Sequence, residues 1–333
     1  MSVAQHMGAM QAQDYYGTLW ALGLRTGKTE REVIKAFEDA EIVRTWPQRG
    51  TLHVVPAVDA KWLVSLSEER LIKGAASRRE ALGLTDEILG KARDTLVGAL
   101  QGRKLLSRPR IMEVLEDAGI STKSGRGYHI LWYLSQTGVT VVGPMEGKQQ
   151  TFALLDDWVP NARTLSREEG IAELARRYFT SHGPATVKDF GWWTGLTAAD
   201  AKVGLAANRS ALISAKVDRH EYWFAGDTPT GEDQKGDFLL PGFDEYMLGY
   251  KNRDAALRPE QAENICPGKN GMFLSTIILG GQVVGTWKRT VRKGRVEIAL
   301  SPFKRLSRED KARLEEPANA YGRFLDLPAV ITT

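Results

Sequence analysis

Three times along this 333-residue chain, helical apolar spacing runs into two short β-prone segments joined by turn residues. That alternation restricts the fold more than any single motif, because a helix face packed on a two-stranded ribbon is the outline of a winged helix. The first occurrence opens at Thr29-Glu30-Arg31-Glu32, a capping box ahead of Val33, Ile34 and Phe37. Ile42 to Trp46 and Thr51 to Val55 follow as strands, with Pro47-Gln48-Arg49-Gly50 as the turn. In the second, Asp59 to Gly119 accommodates three helices, and Tyr128, Ile130, Leu131, Trp132 and Leu134 form the buried face of another. Val139 to Val142 and Gln150 to Leu154 then flank Gly143-Pro144-Met145-Glu146-Gly147-Lys148. In the third, helical stretches Ile171 to Phe179, Val187 to Trp193 and Thr197 to Ala207, the last two separated by Gly195, have the helix-turn-helix pattern and end on the hairpin segments Ile213 to Val217 and Glu221 to Phe224.

The composition changes after Ala225. Residues 226–236 read as a linker rich in Gly, Thr, Pro and Asp. Short β-prone runs follow at Phe238-Leu239-Leu240, Met272 to Leu279, Gln282 to Trp287 and Val296 to Leu300, which suit a small antiparallel barrel or sheet, and Ser307 to Glu316 reads as one helix halted by Pro317. The expectation is an α+β chain with winged helices at 1–57, 58–160 and 161–228 and a C-terminal β-barrel with a terminal helix at 237–333.

One cysteine, Cys266, excludes an intrachain disulfide and a thiolate metal cluster. No apolar run nears the roughly 18 residues a membrane span requires, and no leader is recognisable, so a cytoplasmic protein is expected. A net charge of +4 and pI near 9.0 permit nucleic-acid binding without requiring it. The cations cluster at Lys104, Arg108 and Arg110 and more densely at Lys288, Arg289, Arg292, Lys293 and Arg295, where solvated strands or turns are the plainer reading. There is no Walker-type loop, no strand-linked G-x-G-x-x-G and no G-x-S-x-G elbow, and the five histidines lack metal-ligand spacing.

Chemistry could reside instead in Met10-Gln11-Ala12-Gln13-Asp14. A neutral amide is a poor acid or base at pH 7 but can orient a water. Residues i and i+2 diverge on a helix and share a direction in extended chain, so Gln11 and Gln13 can act together only where helical geometry is interrupted or just beginning. Two solvated amides at a helix start are the alternative. His53, inside an apolar strand, suits a structural histidine, and Trp192-Trp193 suits core. Asp244 and Glu245 could hold a metal or a basic side chain.

Together with Arg49-Gly50-Thr51-Leu52-His53, Leu239-Leu240-Pro241-Gly242-Phe243-Asp244-Glu245-Tyr246, Gly249-Tyr250-Lys251-Asn252-Arg253 and Gly285-Thr286-Trp287-Lys288-Arg289, the glutamine element resembles the winged-helix DNA glycosylases of the AlkZ type across nearly the whole chain. The resemblance implies three tandem winged helices and a β-barrel shaped like a C around DNA, and excision of cationic N7- or N3-alkylpurines, with interstrand crosslinks unhooked in some members. It places Gln11 and Gln13 as the catalytic pair and Arg49, His53, Lys288 and Arg289 as DNA contacts, with Arg292 and Lys293 behind them. No metal or cofactor is implied. No lysine in the motif offers a Schiff base, so a monofunctional enzyme is expected. The partner would be double-stranded DNA carrying alkylated bases, with no membrane, and the protein a nucleoid-associated monomer. The chain ahead of Gln11 is shorter than usual in the family, which implies either a shortened first helix or a misassigned start. A non-catalytic winged-helix regulator, and a relative specialised for an unusual adduct, are the competing readings.

Overall fold

The computed structural model describes residues 2–228 and 236–332, so the expected linker lies largely outside the described residues. In chain order the elements are α1 (Ser2–Met7), β1 (Met10–Gln11), α2 (Tyr15–Thr26), α3 (Glu30–Glu38), β2 (Ile42–Gln48), β3 (Thr51–Pro56), α4 (Ala60–Gly74), α5 (Ala76–Ala81), α6 (Asp86–Leu100), β4 (Leu106–Ser107), α7 (Arg108–Asp117) and α8 (Arg126–Gln136). There follow β5 (Thr140–Glu146), β6 (Gln149–Leu154), α9 (Leu155–Trp158), α10 (Arg167–Ser181), α11 (Val187–Thr194), α12 (Ala198–Asn208), β7 (Leu212–Val217) and β8 (His220–Ala225). The remainder comprises β9 (Phe238–Leu240), α13 (Glu245–Leu248), α14 (Ala262–Ile265), β10 (Thr276–Leu279), β11 (Gln282–Arg292), β12 (Arg295–Pro302), α15 (Arg308–Arg313), α16 (Glu315–Leu325) and β13 (Ala329–Thr332). The class is mixed α and β. No described helix is long and apolar enough to cross a membrane.

The chain divides into two compact units, the first made of Met1–Ala9, Lys35–Tyr178 and Thr194–Ser210. Its strands lie in the order β3-β2-β5-β6-β4. Both long hairpins run further than the turn residues suggest, with pairing continuing to Gln48↔Thr51 and to Glu146↔Gln149. In each the register slips where a proline interrupts the strand, between Thr45 and Gln48 and between Val142 and Met145. A bulge there absorbs Pro47 or Pro144, which has no N–H to give the ladder. The first turn is therefore only Arg49-Gly50, both at positive φ (50° and 70°), as a tight hairpin turn requires. Residues 59–119 form four helices rather than three, because α4 stops at Gly74 and the chain restarts as the short α5 before α6 and α7. The apolar faces of α6, α7 and α8 close over the sheet through Leu96, Leu100, Ile111, Leu115, Ile130 and Leu131. Tyr128 is an exception to the expected buried face, standing 56% exposed on the first turn of α8.

A buried charge network holds the N-terminal end of α4 in this unit. Asp59 has no exposed surface and accepts bonds from Trp62 Nε1 (2.9 Å), Arg163 Nε (2.9 Å) and Arg177 Nη1 (2.7 Å). Burial works against the ionised carboxyl, but the Trp62 bond and the two guanidinium groups outweigh it and hold the group below the ordinary aspartate range. With a depressed folded value, the stabilisation is complete above the unfolded value of about 3.9 and is lost as pH falls below it. Thermal melts should therefore show the wild-type midpoint falling more steeply than that of Asp59→Asn from about pH 5 down to pH 3; parallel curves would remove Asp59 from the acid response.

The second unit comprises Met10–Ile34, Phe179–Trp193 and Ala211–Thr333. Its main sheet has the order β13-β12-β11-β10-β9, with β13 joined parallel to β12 and the other pairs antiparallel. Among the described residues no pairing joins β9 to β13, so the sheet stays open where a barrel was expected. Helix α16 packs on β13, β9 and α2, and Trp20, Tyr321 and Phe324 meet ring to ring (4.9 Å and 5.1 Å from Trp20). The terminal helix is two helices: α15 ends at Arg313, and Pro317 falls in the first turn of α16, where a missing N–H costs no helical hydrogen bond.

Candidate active site

The glutamine element occupies the break between an extended segment and a helix, the geometry in which residues i and i+2 can meet. Met10 and Gln11 are β1, Asp14 is the extended N-cap residue of α2 (φ −90°, ψ 102°), and Gln13 lies in the bend between. The two carboxamides engage one another. Gln11 Nε2 donates to Gln13 Oε1, and the Gln13 backbone N–H donates to Gln11 Oε1 at 3.0 Å. Gln11 is buried with both ends of its amide committed to this exchange, whereas Gln13 is exposed. Gln13 therefore presents an amide group and a second carbonyl lone pair in a direction fixed by Gln11.

The Asp244-Glu245 pair fixes this segment at two points. Phe243 takes a left-handed conformation (φ 61°) and Asp244 caps α13, its carboxylate accepting the Tyr246 N–H at 2.9 Å. Being at a helix start rather than on a strand, the neighbouring carboxylates reach separate partners. Asp244 grips Arg25, in the last turn of α2, through two bonds of 2.9 Å and 2.8 Å. Burial disfavours the Arg25 cation, yet Asp244 raises its pKa above the ordinary value. Glu245 accepts the Gln11 backbone N–H at 2.8 Å through Oε1 and Trp193 Nε1 at 2.8 Å through Oε2, with His182 Nε2 3.5 Å away. Trp193 is core, as expected, and Trp192 lies against the Arg253 guanidinium at 5.0 Å. The loop carrying Tyr250, Lys251 and Asn252 is held by Asp189, which accepts the Lys251 and Asn252 N–H groups at 2.9 Å and 3.3 Å.

The expected DNA contacts fall in both units. In the second, β11 and β12 pair over eight positions from Gly285↔Pro302 to Arg292↔Arg295 and turn at Lys293-Gly294. Strand alternation puts Lys288 and Arg292 on one face and Arg289 on the other. Lys288, Arg292 and Lys293 are exposed. Arg289 is half-buried, bonded to the Tyr321 hydroxyl and stacked over the rings of Tyr16 (5.4 Å) and Tyr321 (5.8 Å). Burial raises the Tyr321 phenol to about 12 although Arg289 opposes it, so Tyr321 is neutral at pH 7. In the first unit, Arg49 is part-exposed at its hairpin turn and His53 is fully enclosed, with Nδ1 2.8 Å from the Thr51 carbonyl oxygen.

Residues 4–324 match the AlkZ-like DNA glycosylase family. The chain belongs to that family. It is therefore a DNA glycosylase. An interstrand DNA cross-link repair glycosylase of Streptomyces sahachiroi is 23% identical over 347 positions, covering 96% of this chain and 89% of the relative. The solved structure of the Streptomyces sahachiroi DNA glycosylase AlkZ aligns with a TM-score of 0.79 at 22% identity, over 99% of this chain and 92% of that one, and so shares its fold. The sequence singles out Gln11 and Gln13, which the folded glycosylase brings together, but not Glu245 as the acceptor behind Gln11 or Arg25 as the partner of Asp244. The available signal was local: Asp244 followed by a short apolar helix is an N-cap pattern.

Proposed function

We propose that this glycosylase is a monofunctional enzyme that hydrolyses the N-glycosidic bond of cationic alkylated bases, N7- and N3-alkylpurines and by extension crosslinked ones, with its water held by Gln13 and Gln11. The observation that carries the reading is the mutual lock of the two carboxamides, which leaves Gln13 alone exposed and oriented. A base alkylated at N7 already carries the charge that an acid would otherwise create. On cleavage it takes the bonding pair and leaves uncharged, so no proton is delivered to it. Water adds to C1′ and passes its proton to solvent, because an amide oxygen is too weak a base to keep it. Oriented amides of this kind contribute roughly a few kcal/mol each, too little to release an ordinary base, so the lability of the lesion sets the specificity. The cross-link repair name of the Streptomyces sahachiroi relative supports the crosslinked class.

We further propose that the three helix-plus-hairpin segments serve as winged helices and that the protein wraps its duplex as a monomer. Lys288, Arg292 and Lys293 would meet phosphates. Arg292 and Arg295 stand opposite one another beside Lys293 and share the single carboxylate of Glu297 (3.3 Å and 2.7 Å), so the turn keeps an excess of positive charge that a polyanion would stabilise. Arg49, part-exposed at its turn, would serve the same role, while enclosure of His53 and stacking of Arg289 favour support of their surroundings. The test is a duplex carrying one N7-methylguanine, incubated with the protein and then cleaved at abasic sites by hot alkali. Strand cleavage should require both lesion and alkali; its absence would overturn the reading, and nicking without alkali would overturn the monofunctional assignment. The Lys288→Ala/Arg292→Ala/Lys293→Ala variant should bind duplex more weakly, with the slope of log affinity against log salt reduced by about 2 to 3. An unchanged slope would remove these cations from the interface.

A further inference from the structure

We infer that Glu245 is a positioning residue that aims the Gln11–Gln13 pair by holding the peptide N–H of Gln11. The inference rests on the function proposed above. The Gln11 side chain contacts Gln13 through both ends of its amide, so its direction depends on how the Gln11 backbone is fixed, and β1 is only two residues long. On its other side that backbone is gripped through its carbonyl by Thr18 Oγ1 at 3.4 Å, a long bond from a hydroxyl that also bonds the Asp14 carbonyl at 2.8 Å. The stronger restraint is the charge-assisted bond from the Gln11 N–H to Glu245 Oε1 at 2.8 Å. Glu245 is itself 2% exposed, starts α13, and is fixed through its second oxygen by Trp193 Nε1. A carboxylate clamped at both oxygens, with its neighbour Asp244 clamped on Arg25, forms a rigid support 234 residues away in sequence from the peptide it orients.

The support matters because a misplacement of about 1 Å can lower a positioning-dependent rate about a hundredfold. Glu245→Ala removes the acceptor, and Glu245→Gln keeps one acceptor oxygen for two facing N–H donors. Single-turnover excision of N7-methylguanine should rank wild type above Glu245→Gln above Glu245→Ala, with a loss of about 10- to 100-fold for alanine and duplex affinity within about twofold. The variant Asp237→Asn, which breaks the Arg313 ion pair elsewhere in the same unit, controls for lost stability and should keep its rate. A readout free of activity is hydrogen exchange at the Gln11 amide, which should lose protection in Glu245→Ala while the amides of α16 keep theirs. Unchanged Gln11 exchange, or equal rates in wild type and Glu245→Ala, would overturn the inference. Loss of Gln11 protection in a protein that excises nothing would overturn the proposed function and leave the positioning role standing.

Discussion

Gln13→Ala should lower the single-turnover excision of N7-methylguanine by about 10² to 10³, the loss expected when one preorganised group that faces the reacting centre is removed. Gln11→Ala should cost less, about 10- to 100-fold, because Gln11 is buried and in the proposed mechanism only aims its partner. The two effects should not add. Gln11 contributes through the bonds it makes with the Gln13 carbonyl and backbone N–H, so once the Gln13 side chain is gone its own side chain has little left to orient. Residues that act as a unit behave in this way. The double variant should therefore match Gln13→Ala within about threefold, with duplex affinity retained, since neither amide is charged. Losses that multiply would mean that each glutamine touches the substrate independently, and excision retained in the double variant would remove both from the chemistry.

Asp244→Ala should be the most destabilising single change at the site, lowering stability by about 3 to 5 kcal/mol, because it leaves the Arg25 guanidinium mostly buried with its carboxylate removed. Arg25 is 24% exposed and Asp244 1%, so water recovers little of the loss. The same change removes the acceptor for the Tyr246 N–H and so the cap of α13. For a unit of this size the midpoint should fall by on the order of 10 °C in a thermal melt. Asp244→Asn, which keeps an acceptor for the cap and for one guanidinium N–H, should lose about half as much. Equal midpoints for wild type and Asp244→Ala would show that the ion pair contributes nothing net. Because the pair secures α2 immediately after the glutamines, excision by Asp244→Ala should also fall at temperatures well below its midpoint.

What was legible in the sequence was local. The Thr29–Glu32 capping box forms with the Thr29 N–H and hydroxyl both donating to Glu32 (2.9 Å and 2.8 Å), because its bonds span three residues. The hairpins were found from turn residues and alternation, but their lengths were not, since a bulge at Pro47 or Pro144 is visible only once the partner strand is known. Pro317 opens a helix rather than stopping one, since a proline ends one helix and begins another with equal ease. The barrel failed for a different reason: alternation identifies strands, whereas closure depends on whether the first and last of them meet.

The glutamine pair shows the same division. The sequence alone determined that two neutral amides lie one residue apart just ahead of a helix, and spacing and backbone geometry suffice for that. It also placed Asp244 and Glu245 side by side without revealing that one holds Arg25 and the other the Gln11 peptide, contacts spanning 219 and 234 residues. Only the tertiary structure decided which glutamine is exposed, which is enclosed and what supports them. Burial and long-range hydrogen bonding depend on what the folded chain brings alongside, and short-range patterning carries no record of it.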